Sequence, residues 1–162
     1  IRLDTLADVL LTLRYGDRTS AQRALSDHIR MTKHLSDWLQ IAQTLFAIGD
    51  IAGAKSIVDI ALRGVDYLQE GIDIATTVRW WGRDITWSKR ILKRLWAGVE
   101  GLWNMTDWIE AWVALIHQNP DAKILTQIQL EYGKASDTER REWWQHIDRK
   151  FGPLQRTLFA WR

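Results

Sequence analysis

The sequence predicts an all-α protein built from stacked antiparallel helix pairs. Its 162 residues are 46% hydrophobic, which is enough to form a packed core in a domain of this size. Two prolines and ten glycines are typical of helices joined by short turns. No segment shows the alternating apolar and polar pattern of a half-buried strand. Small residues recur at an interval of 34 positions, which indicates that one helix pair is repeated along the chain.

Apolar residues at spacings of three and four, bounded by turn and capping residues, predict the individual helices. We expect Thr19, Ser36, Asn119 and Ser136 to cap the starts of helices, and Gly49 to end the third helix. The predicted helices, in order, cover about residues 3–15, 19–31, 36–48, 51–67, 70–81, 85–99 and 106–118, then an eighth helix that begins at residue 120, and residues 136–151 and 154–162.

The repeated unit is marked by small residues at Ala54, Ser88 and Ala122. Each of them is followed by a lysine, and an apolar residue stands three positions after each. A small side chain lets two antiparallel helices approach closely, while larger side chains fill the space on either side. We therefore expect these three residues to be buried where paired helices cross.

The stretch from residue 36 to residue 62 resembles a tetratricopeptide repeat. Trp38 is followed by Ile41 and Ala42 at the family's spacing, and the second half has Ala54 with Val58 four positions later. The resemblance extends over roughly residues 3–134, and it is strong in one unit and partial in the others.

The chain departs from this family at Asp66 and Glu100, which stand where a proline usually closes each unit. The resemblance implies a right-handed α-solenoid that binds a partner in the inner groove formed by the first helices. The residues that this comparison places in the groove are Leu39, Gln43, Phe46, Thr76 and Arg79.

The sequence predicts two regions, a helical-repeat array of about four helix pairs over residues 1–135 and C-terminal capping helices over residues 136–162. The predicted ninth helix is heavily charged opposite an apolar face that includes Trp144. Terminal repeats need such a polar outer face, because no further repeat packs on them. Alternatively, Trp143 and Trp161 contact a neighbouring repeat that this sequence lacks.

Positive charge is concentrated between Arg79 and Arg94. Six basic residues and one acidic residue lie in this segment, although the whole chain carries a net charge of only +2. The segment also contains Trp80, Trp81 and Trp87. Exposed Arg and Trp are typical of interface hot spots and of contacts to bases and phosphates, whereas a solvated basic helix face is the ordinary alternative. The residues we expect to bind a partner here are Arg79, Trp80, Lys89, Arg90, Lys93 and Arg94.

The sequence contains no recognisable catalytic, metal-binding or cofactor-binding motif. Its four histidines are scattered without a zinc-binding motif, there is no glycine-rich phosphate loop, and the absence of cysteine excludes disulfides and zinc–thiolate sites. No apolar run approaches the roughly 18 residues that a membrane-spanning helix needs. We therefore expect no enzymatic activity, no cofactor and a cytoplasmic location.

These observations together predict a protein-interaction scaffold that uses the groove and the basic, tryptophan-rich segment 79–94. The partner is another protein or, since the chain begins with Ile1 rather than Met, another domain of a longer parent chain. Nucleic-acid binding through the same segment is the alternative, and an all-α enzyme is a third class. The salt dependence of binding distinguishes a protein partner from a nucleic acid, because nucleic-acid affinity falls steeply as the salt concentration rises.

Overall fold

The computed structural model describes residues 3–154 and 158–161. Within these residues the chain forms α-helices and one short 3-10 turn and contains no strand, which confirms the predicted all-α class. No described helix is long and apolar enough to cross a membrane. The helices are α1 (Leu6–Tyr15), α2 (Arg18–Met31), α3 (Leu35–Ala47), α4 (Ile51–Arg63), α5 (Leu68–Trp80), α6 (Ile85–Trp96), α7 (Leu102–Ile116), α8 (Ala122–Lys134) and α9 (Asp137–Phe151), and the 3-10 turn is Gly152–Leu154.

Two predicted helix caps are wrong because a neighbouring residue takes the role. Asp17 caps α2, since its carboxylate accepts a hydrogen bond from the backbone N–H of Thr19 at 3.1 Å. Thr19 therefore lies inside the helix. His34 precedes α3, and its carbonyl accepts the backbone N–H of Asp37 at 3.1 Å, so Ser36 also lies inside its helix.

The cap predicted for α8 is also wrong, whereas the cap predicted for α9 is confirmed. The α8 helix begins after Asp121, whose carbonyl accepts the backbone N–H of Ile124 at 3.0 Å. Asn119 and the following proline therefore precede the helix instead of starting it. The hydroxyl of Ser136 accepts the backbone N–H of Glu139 at 3.2 Å, as expected for an N-cap residue.

The junction between α3 and α4 is a tight turn built around Gly49. Gly49 has a φ of 83°, and its N–H donates to the carbonyl of Phe46 while the N–H of Asp50 donates to that of Leu45, at 3.1 Å and 2.9 Å. This pattern is the Schellman motif, which favours glycine at the position with positive φ. The Asp50 carboxylate then caps α4 by accepting the N–H of Gly53 at 3.0 Å. The turn closes one helix and opens the next, and α3 and α4 pack against each other.

The structure divides into two compact units, residues 1–84 and residues 85–162. In the first unit α1 packs on α2 and on α3, and α5 lies against the α3–α4 pair. Packed pairs of adjacent helices are compatible with a helical repeat. The fully buried apolar residues of this unit are Val9, Leu13, Ala21, Ile41, Ala54, Ile74, Ala75 and Val78.

The second unit is organised around α7, which packs against α6, α8 and α9. The rings of Trp108 and Trp112, both on α7, are buried and stack with their centroids 5.1 Å apart. Trp143 of α9 is also fully buried. Tryptophan side chains fill much of this core, whereas Trp103 is exposed.

The burial expected from the repeat is confirmed at two positions and wrong at the third. Ala54 and Ser88 are completely buried, but Ala122 is exposed. Because α8 begins at Ala122, this small residue lies at the end of its helix and not at a crossing.

The predicted final helix over residues 154–162 includes positions that lie outside the described residues. Among those that are described, Leu158 and Phe159 are buried. Residues 137–151 form the charged helix α9, as the sequence predicts. The division into an array and a cap at residue 135 stays a prediction.

Replacing Ala54 by leucine should destabilise the first unit. Ala54 has no exposed surface, so the added atoms must displace packed neighbours, and we expect a loss of about 1–3 kcal/mol in the free energy of unfolding. Ala52 lies on the exposed side of the same helix, so Ala52→Leu is the matched control and should change stability by less than about 0.5 kcal/mol. Urea denaturation of both variants checks this. Equal stability of the Ala54 variant and the parent would contradict the helix packing described above.

Candidate functional site

The predicted groove residues on α3 differ in their exposure. Leu39 and Gln43 are partly exposed, whereas Phe46 is buried with 8% of its surface accessible. The Phe46 ring lies against Gly82, where a Cβ would stand only 2.9 Å from Cζ of the ring. Phe46 therefore fixes packing between α3 and the end of α5, and only the first two residues of this set offer side-chain surface to a partner.

The predicted residues on α5 form a small surface at the end of that helix. Thr76 is partly exposed, but its hydroxyl donates to the carbonyl of Ile72 at 2.7 Å. The Arg79 guanidinium lies 4.5 Å from the ring centroid of Trp80, which is 51% exposed. This geometry is a cation–π contact on a solvent-facing ring. Trp81 follows at the same helix end with 43% exposure.

The predicted basic residues on α6 separate into one anchored lysine and three exposed cations. The Lys89 ammonium lies 3.4 Å from the side-chain oxygen of Gln118 and 5.7 Å from the ring centroid of Trp112. The three exposed residues fall within about 100° of the helix circumference, given 100° per residue. Among the described residues no carboxylate forms an ion pair with them. These three exposed residues, called the α6 cations below, are Arg90, Lys93 and Arg94.

The predicted site residues lie in both units, and each group is described within its own unit. Those on α3 and α5 belong to the first unit, and those on α6 belong to the second. In the first unit the surface is mainly an exposed tryptophan with a stacked arginine. In the second it is a face of positive charge.

A second cluster of chemically active side chains lies between α7 and α9. Asp107 and Glu110 come from α7 and His146 from α9, and one potential metal-ligating atom of each lies within 4.8 Å of the others. Lys150, one turn further along α9, has its ammonium 3.4 Å from a carboxylate oxygen of Glu110. The His146 ring stands edge-on to Trp103, with ring centroids 5.3 Å apart.

The pKa of Asp107 is raised above its ordinary value in this cluster. The largest cause is desolvation of the carboxylate by its surroundings, followed by repulsion from Glu110. His146 and Lys150 act in the opposite direction, because positive charge stabilises the ionised carboxylate. One acidic neighbour and two basic neighbours therefore act on the Asp107 carboxyl group at this helix crossing.

Sequence reasoning missed this cluster because its members are far apart in the chain. Residues three or four apart lie on one face of a helix. This spacing pairs Asp107 with Glu110 and His146 with Lys150. Nothing in the sequence states that these two faces meet. The histidines looked scattered because the relevant carboxylates lie more than 30 positions away.

No family model, curated protein or solved structure matches this chain. The structure agrees with the tetratricopeptide resemblance in two respects. The described residues are all-α, and adjacent helices pack in pairs.

Replacing Gly82 by alanine should destabilise the α3–α5 contact. The new Cβ would stand 2.7 Å from the Val78 carbonyl oxygen and 2.9 Å from the Phe46 ring, so backbone or ring must shift. We expect a loss of about 1–3 kcal/mol in the free energy of unfolding. Gly133, inside α8, is the control because a Cβ there meets nothing within 4 Å, and its replacement by alanine should stabilise by about 0.5–1 kcal/mol. Chemical denaturation measures both, and a Gly82 variant as stable as the parent would contradict the close approach.

Proposed function

We propose that the protein is a helical-repeat scaffold, and not an enzyme, that binds an acidic segment of a partner protein. The observation that carries this proposal is the exposed face of α6, where the α6 cations lie together without a carboxylate partner among the described residues. Tetratricopeptide-like pairing in a right-handed solenoid is part of the same proposal. It is supported by the packed adjacent helices and by the partial 34-residue recurrence.

The electrostatics of α6 favour an acidic ligand. Like charges three or four residues apart on a helix repel by a few tenths of a kcal/mol per pair. Lys93 and Arg94 lie in the last turn, where the helix dipole partly compensates their charge, but Arg90 lies before that turn. Carboxylates from a partner would relieve the repulsion and form charge-assisted hydrogen bonds with the arginines. Such a surface also increases the rate of association with an acidic partner.

The first unit supplies candidate contacts of a different kind. Trp80 and Arg79 are the residue types that dominate protein interfaces, and the tryptophan exposes half of its surface. Leu39 and Gln43 on α3 are partly exposed and complete the contacts expected of the groove. In this proposal Phe46 supports the groove by packing, and it does not touch the partner.

Nucleic-acid binding is the second candidate function. Arg79 stacks on the exposed ring of Trp80 at 4.5 Å, and exposed aromatic rings beside arginine are what single-stranded nucleic acids stack on. The α6 cations would then contact phosphates. The protein-binding proposal is preferred because the positive charge is local and the net charge of the chain is only +2.

Reversing the charge of the α6 cations should abolish binding without unfolding the protein. The variant is Arg90→Glu, Lys93→Glu and Arg94→Glu, which leaves the anchored Lys89 in place. The control carries Arg18→Glu, Arg23→Glu and Arg30→Glu, three exposed arginines on α2, so both variants change the net charge equally. Fluorescence titration with a glutamate-rich peptide and with a single-stranded oligonucleotide measures binding, and circular dichroism checks helicity and Tm.

We expect the α6 variant to lose at least about tenfold in affinity for the acidic peptide, about 1.4 kcal/mol, while the control keeps most of it. Equal peptide binding by the α6 variant and the parent would contradict the proposal. Tighter binding of the oligonucleotide than of the peptide, with affinity that falls steeply as salt rises, would favour the nucleic-acid function instead.

A further inference from the structure

We propose that Asp107 and Glu110 of α7 and His146 of α9 form a binding site for a divalent transition-metal cation such as Zn²⁺. The three side chains offer one imidazole nitrogen and two carboxylate oxygens, and these atoms lie within 4.8 Å of one another. The site is separate from the partner-binding residues proposed above. The test of the metal site is therefore independent of the test of partner binding.

The three ligand atoms lie close enough together for side-chain rotation alone to bring them to metal-binding distances. In tetrahedral zinc sites the ligand bonds are about 2.0–2.2 Å long, which places neighbouring ligand atoms about 3.3 Å apart. The ligand atoms here are within 4.8 Å, so a shift of about 1–1.5 Å brings them into range. Aspartate, glutamate and histidine side chains cover this distance by rotation about one or two bonds. Three protein ligands leave a fourth position for water or a partner's group.

The donor set decides which cation the site would take. Imidazole nitrogen suits zinc, copper, iron and nickel, whereas Mg²⁺ and Ca²⁺ prefer sites made only of oxygen. Affinity along the first-row divalent metals rises from Mn²⁺ to a maximum at Cu²⁺ and is lower for Zn²⁺, so the donor set selects this group of metals and not one member of it.

An unpartnered nitrogen provides a second, independent observation. Nε2 of His146 is buried and has no hydrogen-bond partner among the described residues. The indole nitrogens of Trp112 and Trp161 are also buried and unpaired, but an indole N–H can only donate a hydrogen bond. An imidazole nitrogen without a proton presents a lone pair, which a bound metal ion would satisfy. The edge-on contact with the Trp103 ring restricts the imidazole and thereby favours one ring orientation.

The ammonium group of Lys150 would compete with a metal ion for the Glu110 carboxylate. The ammonium already lies 3.4 Å from the Glu110 carboxylate, so a metal ion must displace or repel it to bind that oxygen. Removing the lysine charge should therefore strengthen metal binding, although it removes an ion pair. A bound ion would also link α7 to α9, because its ligands come from both helices.

Calorimetric titration of the full chain with ZnCl₂, after removal of metals by a chelator, tests the proposal. We expect one ion per chain, with affinity at least tenfold weaker in His146→Gln and in Asp107→Asn. Lys150→Gln should bind several-fold more tightly than the parent. His34→Gln, an exposed histidine outside the cluster, is the matched control and should bind like the parent.

Two further measurements separate binding at this site from binding elsewhere or from unfolding. Zinc should shift the His146 ring resonances in an NMR spectrum of the parent, and it should raise the Tm of the parent but not of His146→Gln, because a ligand that binds only the folded state stabilises it. Absence of zinc binding by the parent at millimolar concentration would overturn the proposal. Unchanged affinity in both His146→Gln and Asp107→Asn would overturn it equally.

Discussion

A buried hydrogen bond between Trp143 and Thr106 determines how α9 packs on α7 in the second unit. The indole N–H donates to the threonine hydroxyl at 2.7 Å, and both residues are fully buried. That hydroxyl donates in turn to the carbonyl of Leu102 at 2.7 Å, so all three polar groups are satisfied. An unpaired indole N–H in this core would cost about 1–3 kcal/mol, which disfavours any other position of α9 along α7. Three residues after this tryptophan, His146 then comes close to Asp107, the residue that follows the threonine.

The same physical requirement orients the other candidate binding face of this unit. Trp108, also on α7, donates its indole N–H to the backbone carbonyl of Leu92 on α6 at 2.8 Å. This contact holds one side of α6 against α7, since Ser88, Ile91 and Leu92 are buried. The α6 cations consequently face solvent. Trp108 and Trp143 therefore each have two roles, because the ring fills the core and the indole N–H bonds to a group on a neighbouring helix.

Some features that depend on neighbouring residues could be predicted from the sequence, although an adjacent residue replaced the predicted cap at Thr19, Ser36 and Asn119. The turn at Gly49 and the cap at Ser136 were predicted correctly, because both are hydrogen-bonded within a few residues. The start of α7 was predicted four residues too late, because Gly101 supplies no capping side chain. The positive charge of α6 is visible in the sequence, whereas the proximity of His146 to Asp107 arises only when α9 packs on α7. The tryptophan that fixes this packing gives no local pattern that marks its partner.

The most direct test of this account is a double-mutant cycle between Trp143 and Thr106. Trp143→Phe removes the donor, Thr106→Val removes the acceptor with little change in volume, and the double variant removes both. Free energies of unfolding from urea denaturation give the coupling between the two positions. The account predicts a favourable coupling of about 0.5–1.5 kcal/mol, the net contribution of a buried hydrogen bond. Effects that add to within about 0.3 kcal/mol would show that the two side chains act independently and would contradict the account.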